Sequence, residues 1–465
     1  MTTTRIAIMG GGPAGYEAAL VAAQLGAEVT LVERDAVGGA CVAFDCVPSK
    51  TFIATSESMT ALRDSGSLGV RAGDPARVRV DAPVVHERVK RLAMAQSHDI
   101  HGKLREAGVD VRLGTARFAE QQDGRRYRIE VEGSEPVLAD VVLLATGATP
   151  RILPDARPDG ERILTWRQVY DLPALPEHLI VVGSGVTGAE FASAYTEMGV
   201  PVTLVSSRDR VLPGEDSDAA MVLEEVFTKR GMQILSHSRA SSVQRRGDEA
   251  VVTLTDGREI VGSHVLMTVG SVPNTSDLGL ENVGVELDSR GNVDVDRVSR
   301  TSARGIYAAG DCTGVLMLAS VAGMQGRIAM WHALGQAVSP LKLRTVSANV
   351  FTHPEIATVG VQQRAIEAGK VSARTVTLPL ATNARAKMQG ITDGFVKLFC
   401  NDVTGIVIGG VVVAPAASEL ILPITLAVQN GLTVDRLAQT FTVYPSLTGS
   451  LAEAARQLMR SDDLD

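Results

Sequence analysis

The sequence carries one glycine-rich pattern twice, each time after a short run of apolar residues. Residues 10–15 read Gly-Gly-Gly-Pro-Ala-Gly after Arg5–Met9, and residues 183–188 read Gly-Ser-Gly-Val-Thr-Gly after Leu179–Val182. Each pattern opens a helix-like stretch and leads to a second β-rich run, which is the unit that sets a pyrophosphate on a helix N-terminus. A single pattern is weak evidence. Two in full context predict that the chain holds two dinucleotides, as a hydride transfer between them requires.

Length and charge narrow the class of protein. The 465 residues suffice for about three domains. The net charge of −8 argues against general nucleic-acid binding. The N-terminus lacks the pattern of a signal peptide, and the longest apolar runs, near Ile406–Ala414 and Leu420–Val428, are well below the roughly 18 residues of a membrane span. We therefore expect a cytoplasmic protein without an integral membrane segment.

The chain has four cysteines, of which two lie close together in the sequence. They are Cys41, Cys46, Cys312 and Cys400. Structural disulfides are rare in the cytoplasm, so the close pair indicates redox chemistry or metal binding. None of the eight histidines clusters with the pair, and we predict no metal site. Two buried, reduced cysteines are the alternative, and Cys312 and Cys400 are expected to be packing residues.

The segment that holds the cysteine pair reads Gly-Gly-Ala-Cys-Val-Ala-Phe-Asp-Cys-Val-Pro-Ser-Lys over residues 38–50. Pro48 suits a helix start, and Cys46 and Lys50 would then share one face. The five-residue step from Cys41 to Cys46 turns about 500° in a regular helix, so a disulfide would require a distortion at the helix entrance. A helix N-terminus and a nearby ammonium both favour the thiolate.

The residue at the end of the second strand of each glycine-rich unit predicts which nucleotide that unit binds. Glu33 lies 23 positions after Gly10, where a carboxylate accepts ribose hydroxyls. The same offset from Gly183 reaches Ser206, with Arg208 and Arg210 nearby, and these residues suit a 2′-phosphate. We predict that NADPH is accepted alongside NADH. The alternatives are a solvated Glu33 and arginines that merely face water.

With these motifs in order, the chain resembles the flavoprotein disulfide reductases, the family of lipoamide dehydrogenase, glutathione reductase and mercuric reductase. Besides the two glycine patterns and the cysteine segment, the resemblance rests on Ala145–Gly147, Gly270–Asn274 and Tyr307–Asp311, and it covers essentially the whole chain. It implies an α/β fold with two Rossmann-like dinucleotide-binding domains, a central domain and a C-terminal α+β dimerisation domain in a homodimer. The expected boundaries are 1–150 for FAD, 151–270 for NAD(P), 271–345 for the central domain and 346–465 for the interface domain.

The resemblance also implies roles for individual residues. Lys50 would lie near flavin N5 and pair with Glu190, while Cys46 would be the thiol beside the flavin and Cys41 the outer thiol that attacks a disulfide. Ala116 would lie near the adenine, Asp311 would bind the ribitol chain, and Ala319 would approach the isoalloxazine. The remaining predicted cofactor-binding residues are Gly10, Gly12, Gly15, Glu33, Thr146, Gly147 and Gly270 for FAD, and Gly183, Gly185, Gly188, Ser206 and Arg208, with Glu190, for the nicotinamide nucleotide.

The chain departs from the family at the position of the acid–base pair. Disulfide-reducing members carry a His-Pro-Thr-x-Ser-Glu segment, where this chain reads Tyr444-Pro-Ser-Leu-Thr-Gly449. A histidine titrates near 6.5 and a tyrosine near 10, so the phenol is a poor base at neutral pH. General acid–base catalysis is typically worth about 10²–10⁴-fold. Disulfide exchange is therefore expected to be impaired.

Asp45, directly before Cys46, is a second departure, because the family usually has a small residue there. A carboxylate beside a thiol disfavours the thiolate. A role as helix cap, pointing away from the thiols, is the alternative.

These features favour an enzyme that oxidises NAD(P)H and reduces a quinone, with Tyr444 lining the acceptor pocket. An actinobacterial branch of NAD(P)H–quinone reductases is similar in Arg151–Pro154, Gly160–Arg167 and Thr382–Lys387. A disulfide reductase that uses Cys41 and Cys46 is the alternative. Mercuric reduction is less expected, since the extra C-terminal cysteine pair is missing. A flavin-containing scaffold within a multi-enzyme complex is a third hypothesis.

Overall fold

The computed structural model describes residues 3–71, 73–74, 77–120 and 126–460, which fall into two compact units. The first unit contains the chain up to Thr51, His86–Arg151 and Gly270–Lys342. The second contains Phe52–Val85, Ile152–Val269 and the chain from Leu343 onward. The predicted division into four domains is finer than this one and stays a prediction.

The strands form both parallel and antiparallel sheets. In chain order they are β1 (Arg5–Met9), β2 (Glu28–Glu33), β3 (Asp110–Leu113), β4 (Ala116–Phe118), β5 (Tyr127–Val131), β6 (Ser134–Ala139), β7 (Val141–Leu144), β8 (Ala148–Pro150), β9 (Ile163–Leu164), β10 (Leu179–Val182), β11 (Val202–Val205), β12 (Gln233–Leu235), β13 (Ala240–Arg246), β14 (Glu249–Leu254), β15 (Glu259–Gly262), β16 (His264–Met267), β17 (Ser271–Pro273), β18 (Ile306–Ala308), β19 (Ser347–Val350), β20 (Glu355–Gly360), β21 (Ala373–Pro379), β22 (Phe395–Asn401) and β23 (Val407–Ala414).

The helices connect the parallel strands and cover the C-terminal sheet. They are α1 (Pro13–Gln24), α2 (Gly39–Ala43), α3 (Cys46–Asp64), α4 (Ala82–Glu106), α5 (Val186–Glu197), α6 (Ser217–Lys229), α7 (Ala319–Ala333), α8 (Gln363–Glu367), α9 (Ala384–Met388), α10 (Ala417–Leu420), α11 (Leu422–Asn430), α12 (Val434–Ala438) and α13 (Gly449–Leu458).

The first unit is built on a parallel sheet of order β18-β7-β1-β2-β3. β1 pairs with β2 from Arg5↔Glu28 to Met9↔Val32, and α1 forms the crossover between them. The apolar residues of β1 and β7 are buried on both faces, as parallel strands covered by helices require. The carboxyl ends of these strands carry the first glycine pattern, so the predicted Rossmann-like unit is confirmed.

The second unit contains a matching parallel sheet of order β12-β11-β10-β16-β9. β10 lies between β11 and β16, with Leu179 opposite both Val202 and His264. Helix α5 follows β10 through the second glycine pattern. The two nucleotide-binding units therefore share one local architecture, and the α/β fold class predicted from the sequence is confirmed.

The C-terminal part of the second unit is an antiparallel sheet of order β19-β20-β23-β22-β21. Its apolar face packs against α11 and α13 around residues such as Leu398, Val412 and Ile424. The sequence predicted one helix over Ser418–Asn430, but the structure has two, α10 and α11. Pro423 explains the break, because it has no N–H to donate to the carbonyl four residues earlier.

The helix that follows the cysteine pair begins earlier than predicted. The sequence placed its start at Pro48, whereas α3 begins at Cys46. A proline is tolerated there because the first N–H groups of a helix have no intrahelical partner. The predicted distortion is confirmed, since α2 ends at Ala43 and a new helix begins after Phe44 and Asp45.

Candidate active site

The first glycine turn shows why two of its glycines are needed by the protein itself. Gly10 has a φ of +108°, and a Cβ there would lie 2.2 Å from the carbonyl oxygen of Ala145. A Cβ on Gly15 would lie 1.9 Å from the carbonyl oxygen of Gly10. Both contacts are forbidden, so the close packing of turn and helix depends on these glycines.

Gly12, the middle glycine, has a different reason to lack a side chain. A Cβ there would approach nothing closer than Gly39 Cα, at 3.9 Å. Gly12 is also the N-cap of α1, and a glycine has no side chain that could accept a hydrogen bond from the first N–H groups of the helix. Open space in front of unpaired helical N–H groups fits the pyrophosphate of a dinucleotide.

The second glycine turn repeats this arrangement. A Cβ on Gly183 would lie 2.4 Å from the carbonyl oxygen of Thr268, and a Cβ on Gly188 would lie 2.0 Å from that of Gly183. Gly185, the N-cap of α5, would meet no atom within 4 Å. The chain therefore has two separate cradles of the kind that hold a pyrophosphate.

Glu33 is buried at the end of β2 and faces the first cradle. Its carboxylate accepts hydrogen bonds from the backbone N–H of Gly11, at 2.6 Å, and of Asp35, at 2.8 Å. These two bonds fix its orientation. An ionised carboxylate has about four acceptor sites, so capacity remains for ribose hydroxyls. That contact stays a prediction.

Ser206 occupies the equivalent position in the second unit and is fully buried. Its hydroxyl lies 2.7 Å from the Ser184 hydroxyl and accepts the backbone N–H of Arg208 at 3.1 Å. Ser206 thus orders the loop that carries Arg208, whose own side chain is exposed. The binding of a 2′-phosphate by Ser206 and Arg208 stays a prediction.

The predicted flavin-binding residues near the end of β7 form a compact corner of the first unit. Thr146 donates its hydroxyl to the carbonyl of Asn274 at 2.7 Å, and the Asn274 amide donates back to the Thr146 carbonyl at 2.9 Å. Gly147 and Gly270 adopt φ values of +69° and +94°. A side chain would strain both positions, which keeps the backbone of this corner accessible.

Three further predicted flavin contacts lie at element ends of the same unit. Ala116 begins β4 and Ala319 begins α7, while Asp311 follows the strand β18. Burial, and then the nearby carboxylate of Asp45, raise the pKa of Asp311 to about 6. A carboxyl group that is protonated more readily than usual can still accept or donate a hydrogen bond to a hydroxylated chain.

Cys41 and Cys46 are both free thiols, and a hydrogen bond joins them. Cys41 lies on α2, and this bond lowers the pKa of Cys41. The same bond, together with burial, raises the pKa of Cys46. The arrangement stabilises a thiolate at Cys41 and keeps the proton on Cys46, so the helix N-terminus alone does not make Cys46 the thiolate.

The charged neighbours of the pair act in opposite directions. Lys50 lowers the pKa of both thiols, as the sequence predicted. Asp45 raises the pKa of both, because its negative charge disfavours a second one nearby. The expectation that Asp45 works against the thiolate is therefore confirmed.

Glu190 lies buried on α5, where its carboxylate accepts the backbone N–H of Phe351 at 2.9 Å. Lys50 belongs to the first unit and Glu190 to the second. Their pairing, and the contact of each with a cofactor, stay predictions.

Tyr444 lies in a segment that is neither helix nor strand, Phe441–Ser446, which we name the Tyr444 arm. The Tyr444 side chain is 86% exposed, and Phe441 and Val443 beside it are exposed as well. Gly449 begins helix α13, and a Cβ there would approach nothing closer than the Ser446 hydroxyl oxygen, at 3.7 Å. Such an aromatic segment on a single chain is suited to contact a partner surface.

Two residues near these sites were missed in the sequence. Tyr16, directly after Gly15, lies close enough to Cys41 for that group to raise the pKa of its phenol, after burial and Glu17. Asn383 binds the Tyr444 arm, and its position before a short helix-forming run is the signal of an N-cap. The described residues contain no group of His, Cys, Asp and Glu suited to a metal ion. They also form no helix long and apolar enough to cross a membrane.

Two dinucleotide cradles and a close pair of thiols in one chain are the features of a pyridine-nucleotide oxidoreductase that carries a flavin. Residues 4–326 match the model of the pyridine nucleotide-disulphide oxidoreductase family, and residues 346–455 match that family's dimerisation domain. The chain belongs to this family. Membership confirms the resemblance inferred from the sequence, together with FAD and NADPH or NADH as cofactors.

Individual relatives span nearly the whole chain. An NAD(P)H dehydrogenase (quinone) of Mycobacterium tuberculosis H37Rv is 62% identical over 99% of this chain and 95% of its own length. A dihydrolipoyl dehydrogenase of Chlamydia pneumoniae is 32% identical over 96% of this chain and 95% of its own. The crystal structure of LpdA from Mycobacterium tuberculosis superposes with a TM-score of 0.94, at 62% identity, covering 98% of this chain and 100% of that one.

Proposed function

We propose that this chain is an NAD(P)H:quinone oxidoreductase that works as a homodimer. The 62% identity to a protein named NAD(P)H dehydrogenase (quinone) supports the activity, and the matched dimerisation domain supports the dimer. The observation that carries the proposal lies within that domain. Tyr444 and Gly449 replace the histidine and glutamate that disulfide exchange uses, while both nucleotide cradles are intact.

The chain's own residues bind and orient the two nucleotides. Gly12 and Gly185 let the pyrophosphates approach the N-termini of α1 and α5, and Glu33 is oriented to accept ribose hydroxyls. Bound FAD would supply the two-electron chemistry that links NAD(P)H to an acceptor. Lys50 and Glu190 would provide charge near the reacting rings.

Tyr444 would line the acceptor pocket of the partner subunit. A phenol offers a planar ring for stacking and a hydroxyl that donates to a quinone oxygen. Reduction of a quinone to a hydroquinone takes up a hydride and one further proton, and that proton can come from solvent after the hydride has been transferred. Disulfide exchange, by contrast, needs a group that takes up and gives back a proton near neutral pH, which an imidazole does and a phenol does poorly.

Disulfide reduction is the second candidate, because Cys41 and Cys46 are in contact and the hydrogen bond between them lowers the pKa of Cys41. The 32% identity to a dihydrolipoyl dehydrogenase also supports it. Turnover of menadione, lipoamide and oxidised glutathione by one preparation separates the two. We expect menadione to be the fastest acceptor, and brisk turnover of lipoamide would reverse the ranking.

Two further measurements distinguish quinone reduction from disulfide reduction. Cys41→Ser should leave menadione turnover within about twofold, because the thiol lies off the proposed electron path. Anaerobic titration with NADPH counts the electrons each subunit accepts. Uptake of two electrons indicates the flavin alone, whereas uptake of four indicates that a disulfide of Cys41 and Cys46 also takes part.

A further inference from the structure

The side-chain amide of Asn383 joins helix α9 to the Tyr444 arm. Its oxygen accepts the backbone N–H groups of Arg385, at 2.8 Å, and Ala386, at 3.1 Å, which makes Asn383 the N-cap of α9. Its nitrogen donates to the carbonyl of Ser446 at 3.0 Å and to the hydroxyl of Ser450 at 2.8 Å. Backbone donors on one side and a carbonyl on the other fix which end of the amide is which.

The Tyr444 arm has few other attachments. Within the described part of the chain, Phe441–Pro445 make no backbone–backbone hydrogen bond, and their side chains are largely exposed. Ser446 bonds locally, with its hydroxyl 2.9 Å from that of Thr448 and accepting the N–H of Gly449 at 3.1 Å. The bond from Asn383 is thus the connection between the arm and an element distant in sequence.

Only Pro445 separates Ser446 from Tyr444. Proline holds φ near −65°, which removes one of the backbone rotations between Ser446 and Tyr444. Leu447, on the other side, packs on the apolar core of the C-terminal sheet. Ser446 is therefore held by Asn383 on one side and by the packing of Leu447 on the other, two residues from Tyr444.

We propose that Asn383 is a positioning residue, which sets the location of the Tyr444 phenol in the acceptor site by holding Ser446. The inference rests on the proposed function and deepens it, since it names the residue that governs how well the acceptor is held. It also assigns a role to the Thr382–Lys387 segment.

The substitution Asn383→Asp removes the side-chain N–H donor and keeps an oxygen acceptor. Aspartate is as good an N-cap as asparagine, so α9 keeps its cap. The carboxylate cannot donate to the Ser446 carbonyl, so the connection to the arm is lost. We expect the KM for menadione to rise about three- to tenfold, the size of one lost hydrogen bond, while the rate of flavin reduction by NADPH is unchanged.

Asn401, at the end of β22, offers a control in the same C-terminal part of the chain. Its side-chain oxygen accepts the N–H groups of Val403, at 3.1 Å, and Thr404, at 2.9 Å, and it does not touch the arm. Asn401→Ala should reduce the thermal midpoint without changing the KM for menadione. Equal changes in KM for Asn401→Ala and Asn383→Asp would show a general loss of stability and overturn the proposal.

The double variant Asn383→Asp/Tyr444→Ala tests whether Asn383 acts through Tyr444. If it does, the effect of Asn383→Asp on KM disappears once Tyr444 is truncated. Full additivity would overturn the inference.

Amide exchange of residues 439–449 in the FAD-loaded dimer gives a readout independent of activity, and it should speed up in Asn383→Asp but not in Asn401→Ala. If the wild-type enzyme fails to reduce menadione, the proposed function fails, and unchanged exchange would separately overturn the connection.

Discussion

Cys41 and Cys46 share a hydrogen bond, and this bond shifts the two thiol pKa values in opposite directions. The outer thiol, Cys41, becomes the better nucleophile, while Cys46 keeps its proton. Asp45 opposes ionisation of both groups. The chain therefore retains a pair of thiols whose ionisation is favoured by the positive charge of Lys50 and opposed by the negative charge of Asp45.

Asp45→Asn should make Cys41 more reactive. Removing the carboxylate takes away a negative charge that raises the pKa of both thiols. A lower pKa raises the thiolate fraction at pH values below it, and we expect alkylation of Cys41 to speed up about three- to tenfold there. The rate of alkylation by iodoacetamide between pH 6 and 9 measures the change. Asp110→Asn, at an exposed ion pair with Arg112 in the same unit, is the matched control and should leave the rate unchanged.

The pair of substitutions Tyr444→His and Gly449→Glu should restore part of a disulfide reductase activity. Gly449 has room for a side chain, and a glutamate in the first turn of α13 suits the helix dipole. We expect lipoamide turnover to rise by about tenfold or more, within the range of general acid–base catalysis. If lipoamide turnover stays at its original rate, the missing acid–base pair is not what limits disulfide exchange.

Arg208→Ala should weaken the use of NADPH more than that of NADH. The Arg208 side chain is exposed, and within the described ranges it makes no hydrogen bond or ion pair, so it is available for a phosphate. We expect kcat/KM for NADPH to fall by about tenfold and that for NADH to change by less than about twofold. Arg210 is the control, because its guanidinium is bound to Asp209 at 2.8 Å. An equal loss in Arg210→Ala would refute a specific role for Arg208.

His264 should make the unfolding free energy depend on pH. Burial, and then the Arg162 guanidinium, lower the pKa of His264 to about 4. In the unfolded chain a histidine titrates near 6.5, so as the pH falls below 6.5 the unfolded state takes up a proton that the folded state does not. His264 should therefore cost about 2 kcal/mol of stability between pH 6.5 and 5.

Urea unfolding at several pH values checks this slope. His264→Gln should flatten the pH dependence between pH 6.5 and 5, whereas substitution of the exposed His98 should not. An unchanged slope in His264→Gln would show that other groups cause the pH dependence.

Local patterns were sufficient to predict the strands and turns that hold nucleotides. β1, β2 and β10 begin and end where the apolar runs do, because a buried parallel strand is a short, continuous apolar segment. Helix boundaries were less accurate. Pro48 was taken as a start although α3 begins at Cys46, and Pro423 divides a helix that the apolar pattern made continuous.

The sequence by itself determined the two nucleotide-binding units, the close cysteine pair and the loss of the acid–base pair at Tyr444 and Gly449, because each depends on residues near one another in the chain. Only the tertiary structure decided that Cys41 and Cys46 share a hydrogen bond and that Asn383 holds Ser446, 63 positions away. Those outcomes depend on hydrogen-bond geometry and burial, which arise only when segments distant in sequence are packed together.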